Sequence, residues 1–148
     1  MPTSTADTIV EEARRESPLW AESVASEPDW EPVFSPLADE RFAVGLETIY
    51  EAYLVHFGRP RLFAPADDDT GLLLGDYLYA HGLVRISAAG GVDAVARLAE
   101  LISRCTSLRA EGRGGDGEAW AETAAGLGGP AAPEDVERAL ALHRARLG

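Results

Sequence analysis

Residues 70–87 read TGLLLGDYLYAHGLVRIS, and the reading of this stretch decides the fold. Leu72, Leu73, Leu74, Tyr77, Leu78, Leu83 and Val84 fall on every side of a helical wheel instead of on one stripe. A helix that is apolar all round is a buried helix. The pattern therefore predicts a central helix over 70–87, with the rest of the chain packed about it. Thr70 stands in the N-cap position and Gly90-Gly91 ends the run. Asp93 then opens a further helix reaching Ala110, with Val95, Leu98, Ile102 and Cys105 on its inner side.

Upstream, Ser35-Pro36 joins a good N-cap to a proline at the first helical position. This predicts a helix to about Phe57, closed by Gly58. Phe42, Leu46, Ile49, Tyr53 and Phe57 recur at spacings of three and four, an amphipathic stripe. Glu40, Glu47 and Glu51 lie on another side, the expected polar face. Thr8 and Glu11 have capping-box spacing, which predicts a short helix late in residues 1–16. Between these helices, residues 17–36 contain Pro18, Pro28, Pro32 and Pro36, which forbid a long helix. A solvated linker would not carry Trp20, Trp30 and Phe34. The segment reads as an extended arm, with one short turn at Ser17-Pro18, docked on this chain's own helices or on a partner.

Beyond Ala110, the glycines of 111–117 mark a loop, and Asp116 to Ala125 form a short helix carrying Trp120. Gly126 to Pro133 is expected to be flexible. Pro133 starts a last helix aligning Val136, Leu140, His143 and Leu147. No strand periodicity and no internal repeat is present. The expectation is an all-α chain: a small helical bundle in one domain over residues 1–148. Within it, 17–36 is the arm, 37–112 the helical core and 113–148 the C-terminal helices.

The net charge of −12 disfavours nucleic acid and anionic membrane surfaces, which are bound through clustered cations. All 13 basic residues are arginine, so lysine Schiff-base chemistry and a P-loop lysine are excluded. No apolar run is long enough to span a bilayer and the N-terminus lacks a signal-peptide pattern, which points to a cytoplasmic protein. Cys105 is the sole cysteine and reads as a buried small hydrophobe. Asp67, Asp68 and Asp69 precede a helix start, where negative charge suits the macrodipole better than it suits a metal. His56, His81 and His143 share no ligand spacing, and no metal, cofactor or catalytic residue is expected from the sequence. Asp76 falls among Leu72, Leu73, Tyr79, Ala80 and Leu83. Taken as buried, it needs a cation, for which Arg59 or Arg61 is the expected partner in a structural hub with Gly75.

Gly71 to Ala80, with its Gly75-Asp76 pair, resembles the Gly-Asp helix of trans-isoprenyl diphosphate synthases, the polyprenyl synthetase family. Arg59-Pro60-Arg61 stands where that family has an Arg-rich turn, and Glu111-Gly112 closes the following helix as in the family. The resemblance covers residues 59–112. It implies an all-α synthase-like fold. The family's chemistry also needs two aspartate-rich motifs that hold magnesium on the allylic diphosphate. Leu46 to Phe57, where the first should lie, has no paired aspartates, and residues 113–148 do not supply the second. The resemblance thus implies a non-catalytic small subunit acting with a separate polyprenyl diphosphate synthase chain in isoprenoid or quinone side-chain synthesis. In such an assembly Trp20, Trp30 and Phe34 are candidate partner contacts. The alternative is a helical protein–protein interaction module of unrelated ancestry, without enzymatic activity, or a homo-oligomer.

Overall fold

Helix α3 (Ala43–Phe57) is heavily covered, and every residue from Gly45 to Leu54 along it is buried. The computed structural model describes residues 4–128 and 131–147. Residues 1–3, 129–130 and Gly148 lie outside the described residues, so the middle of the connection expected to be flexible is not among them. The element order is α1 (Thr5–Glu16), α2 (Pro18–Glu22), two 3₁₀ turns (Ser35–Leu37 and Glu40–Phe42), α3, α4 (Asp68–Ala110), α5 (Asp116–Ala125) and α6 (Pro133–Leu147). The fold is all-α. Among the described residues two isolated bridges, Val24–Phe63 and Ala38–Gly128, are the nearest approach to sheet.

The stretch 70–87 opens the long central helix α4, but that helix is buried along one side and not all round. Helix α4 buries Gly71, Leu74, Gly75, Leu78, Gly82 and Ile86, while Leu72, Leu73 and Val84 are 57%, 55% and 65% exposed. Glycines share its inner face with Leu74 and Leu78. A Cβ at Gly75 would lie 2.4 Å from His56 Nε2, and one at Gly82 would lie 2.5 Å from Ile49. Gly45 on α3 is as tight, 2.7 Å from Ile86. These contacts set the first half of α4 antiparallel to α3 at close range. Gly91, at φ 74° and ψ −164°, breaks α4 as the Gly90-Gly91 pair suggested. The second half then returns along α3, and Arg109 near its end reaches Tyr53. Gly112, at φ 68°, ends it, with Arg113 N–H bonded to Leu108 O, as left-handed helix caps require.

Local capping explains the other boundary shifts. Helix α1 begins earlier than the Thr8–Glu11 spacing implies, because Ser4 Oγ caps Asp7 N–H at 3.1 Å and Thr8 turns back to Ser4 O. The helix expected from Pro36 is interrupted at Ala38, which is extended, and restarts where Asp39 accepts from Arg41 N–H at 3.0 Å. Helix α4 starts at Asp68, since Asp67 and not Thr70 is its N-cap; Asp67 accepts from Thr70 N–H at 2.7 Å.

Two apolar clusters hold the elements together. The larger gathers Phe34, Leu37, Ile49, Tyr50, Leu98 and Trp120 around α3. The smaller joins Ile9, Ala13, Trp20, Leu62, Leu74 and Leu78. The arm docks on the chain itself. Ala25 and Asp29 N–H groups donate to Leu62 and Arg61 carbonyls at 2.9 Å each, and Ala64 N–H returns to Ser23 O at 2.7 Å.

Candidate functional site

The residues singled out in the sequence separate into three places. The first is a buried ionic hub. Arg61 is 1% exposed and lies against α3, where Glu47 and Glu51, one turn apart, face it. Its Nε donates to Glu51 at 3.0 Å and its terminal NH1 to Glu47 at 2.6 Å. Two carboxylates against one guanidinium leave an excess negative charge, which backbone donors satisfy. Val33 and Ser35 N–H groups bond Glu47 at 3.1 and 3.0 Å. Arg61 and Leu62 N–H groups bond Glu51 at 2.9 and 2.7 Å. Burial works against the guanidinium's charge, but Glu47 and Glu51 overcome it and hold Arg61 above the usual arginine range.

This hub corrects the sequence reading twice. The face of α3 expected to be polar is buried, because a 4-residue glutamate spacing there receives a cation from the following loop. Asp76 is not Arg61's partner. Nor is it paired with Arg59, which is exposed and donates to Ala145 O at the end of α6. Asp76 is itself exposed, with 71% of its side chain open to solvent. Leu72, Leu73 and Ala80 are on the outer side with it, as helical spacing requires, but that side of α4 faces out. Gly75 keeps a structural role of another kind, giving the His56 ring room against α4.

The arm aromatics occupy the second place. Phe34 is 1% exposed, stacks on Trp120 at 5.5 Å and meets Tyr50 edge-on at 5.2 Å. Trp20 is buried and stacks on Tyr77 at 5.7 Å. Trp30 is half-buried, its ring 4.4 Å from the Arg61 guanidinium carbon, a cation–π arrangement. Internal docking thus accounts for Trp20 and Phe34, while Trp30 keeps part of its surface open.

The third place is the cleft between α3 and the two halves of α4, about 290 Å³ in volume. Ile49, Ala52, Tyr53, Phe57, Tyr79 and Ile102 wall it, with Thr106, His56 and Asp76 as its polar members. His56 Nε2 and Asp76 Oδ1 stand 3.8 Å apart.

One buried polar network went unseen in the sequence. Tyr50 Oη is 2.7 Å from His143 Nδ1, and His143 Nε2 is 3.2 Å from Asp116 Oδ1. Asp116 Oδ2 accepts from Tyr53 and Arg109, both at 2.7 Å. Burial raises the Asp116 carboxyl, but His143, Tyr53 and Arg109 outweigh it and hold it well below the usual carboxylate range. Burial pushes Tyr50 and Tyr53 above the usual phenol range. Neighbouring Cys105 is buried, and burial, reinforced by Asp116, pushes its thiol up to about 12. The network joins α3, α4, α5 and α6. Tyr50 and His143 are buried within it, whereas Arg109 is partly exposed and Tyr53 also lines the cleft.

His81 is half-buried, stacks on Tyr77 at 5.5 Å and lies 2.9 Å from Glu12. Among the described residues no three His, Cys, Asp or Glu side chains converge as a metal site, and no helix is long and apolar enough to cross a membrane. No family model matches the chain, and no curated protein or solved structure matches it.

Proposed function

We propose that this chain is a non-catalytic helical subunit that works bound to another protein through the outer face of α4. The observation that carries the reading is the apolar strip Leu72–Leu73–Ala80–Val84, exposed along one side of a regular helix. Val92, just past the Gly91 break, is 81% exposed. Large aliphatic side chains left together in water mark a surface meant to be covered. A helix face with anchors at such spacings is suited to a helical partner.

The partner we propose is the catalytic chain of a polyprenyl diphosphate synthase. What supports this is the resemblance of residues 59–112, whose Gly-Asp helix is the one that carries the strip. The absence of paired aspartates in Leu46–Phe57 supports a dependent role over an independent one. The alternative, an interaction module of unrelated ancestry, draws on one observation: Asp76, the carboxylate of the Gly-Asp pair, faces solvent instead of the core.

The test is co-expression with a polyprenyl diphosphate synthase from the same genome, followed by light scattering on the eluted species. A stoichiometric complex that Leu73→Asp with Val84→Asp dissolves, while the variant melts like the parent, supports the proposal. A complex that survives both substitutions overturns the docking face. No complex with any synthase, together with a different binding protein lost on the same substitutions, favours the alternative.

A further inference from the structure

The α3–α4 cleft has apolar walls, an aromatic lining and a mouth with two polar groups that do not satisfy one another. We propose that it binds a small organic cation, an amine whose apolar body enters between the helices and whose ammonium lodges between Asp76 and His56. The inference does not rest on the partner reading, and its test uses the chain by itself.

Three observations carry it. The 3.8 Å between His56 Nε2 and Asp76 Oδ1 is too long for a direct hydrogen bond. A nitrogen about 2.8 Å from each fits between them and donates to both. The imidazole is held in that position by construction. Gly75 lets the ring lie on the α4 backbone, and a Cβ there would come within 2.4 Å of Nε2. Tyr53, Phe57 and Tyr79 line the same cleft, and aromatic faces attract an organic cation more than they attract its neutral or anionic analogue.

The electrostatics select the sign. Asp76 stands at the mouth of a chain of net charge −12, and Arg109, the nearby cation, is committed to Asp116 and Tyr53. An anionic head such as a carboxylate or phosphate would meet repulsion there without a guanidinium to receive it. The volume sets the size. An apolar cavity of about 150 Å³ holds benzene, so about 290 Å³ accommodates a body of roughly ten to twelve non-hydrogen atoms. A phenylalkyl amine meets both conditions.

The experiment titrates the full chain with three matched probes, 2-phenylethylamine, 2-phenylethanol and 3-phenylpropionate, at neutral pH. Binding is followed by calorimetry and by amide chemical shifts around His56 and Tyr79. The amine should bind at least about tenfold more tightly than the alcohol, and the carboxylate more weakly than either. Asp76→Asn should bring the amine down to the alcohol's affinity without changing the melting temperature, since Asp76 is exposed. Thr106→Phe, at the exposed rim, should weaken amine and alcohol alike by filling the cleft. Equal affinities for the three probes, no detectable binding of the amine, or amine binding that survives Asp76→Asn would each overturn the proposal.

Discussion

Replacing Arg61 by methionine removes a guanidinium and leaves two carboxylates facing a hydrophobe. The side chains of Glu47 and Glu51 are 1% and 0% exposed, so neither can turn to water without moving α3 or the arm. Breaking a buried ion pair by deleting one partner costs about 3–5 kcal/mol, mostly for the charge left behind. Against a total stability of about 5–15 kcal/mol, that is a large share. For a domain of this size each kcal/mol moves the melting temperature by about 2–4 °C, so Arg61→Met should melt about 6–20 °C below the parent. Arg61→Lys keeps the charge but not the fork that reaches both glutamates and the Glu31 carbonyl, and should fall between the two. Thermal melts by far-ultraviolet circular dichroism measure all three. Arg59→Met, at an exposed arginine two residues away, is the control and should change little. Were Arg61→Met to melt within about 2 °C of the parent, the hub would not carry the arm and the argument would fail.

Two further outcomes follow from the buried network. Cys105, with its thiol pushed up to about 12 by burial, should resist a disulfide reagent such as DTNB in the native state and react fully once denaturant opens the core; rapid labelling of native protein would contradict its placement. The Asp116 carboxyl is depressed in the folded chain, so it contributes stability that is fully present above its unfolded value of 3.8 and is lost as pH falls toward its folded value. Asp116→Asn should therefore be less stable near neutral pH and show a flatter decline below about pH 4. Parallel acid limbs for the variant and the parent, by urea melts across that range, would show that Asp116 is not the group responsible.

The elements were largely legible and their burial was not. Proline and glycine placed the arm, the α3 end at Gly58, the break at Gly91 and the starts of α5 and α6, because these residues act on the backbone locally. What composition could not rank was which helix is the more deeply covered. Helix α4 carries the longer leucine run, yet α3 is covered on all sides. The discriminating signal was the glycine row, Gly75 against His56 and Gly82 against Ile49 and Gly45, which permits close helix contact and shows which side of α4 is inner. A leucine run read without it made an exposed strip look like core.

The same confusion of sides governed the charged residues. Asp76 was grouped with its correct helical neighbours, and the error lay only in the direction that group faces. Glu47 and Glu51 were assigned to solvent on the general rule that glutamate is seldom buried unless paired. The pairing cation, Arg61, comes from outside the helix, and the excess charge is balanced by N–H groups of Val33, Ser35, Arg61 and Leu62. None of these donors carries a side-chain signature, so no spacing in the sequence announces them. An Arg-Pro-Arg turn following glutamates four apart on a helix is the one cue that was available. Here that turn serves to close the arm over α3. Asp76, released from this duty, is free to serve at the mouth of the cleft.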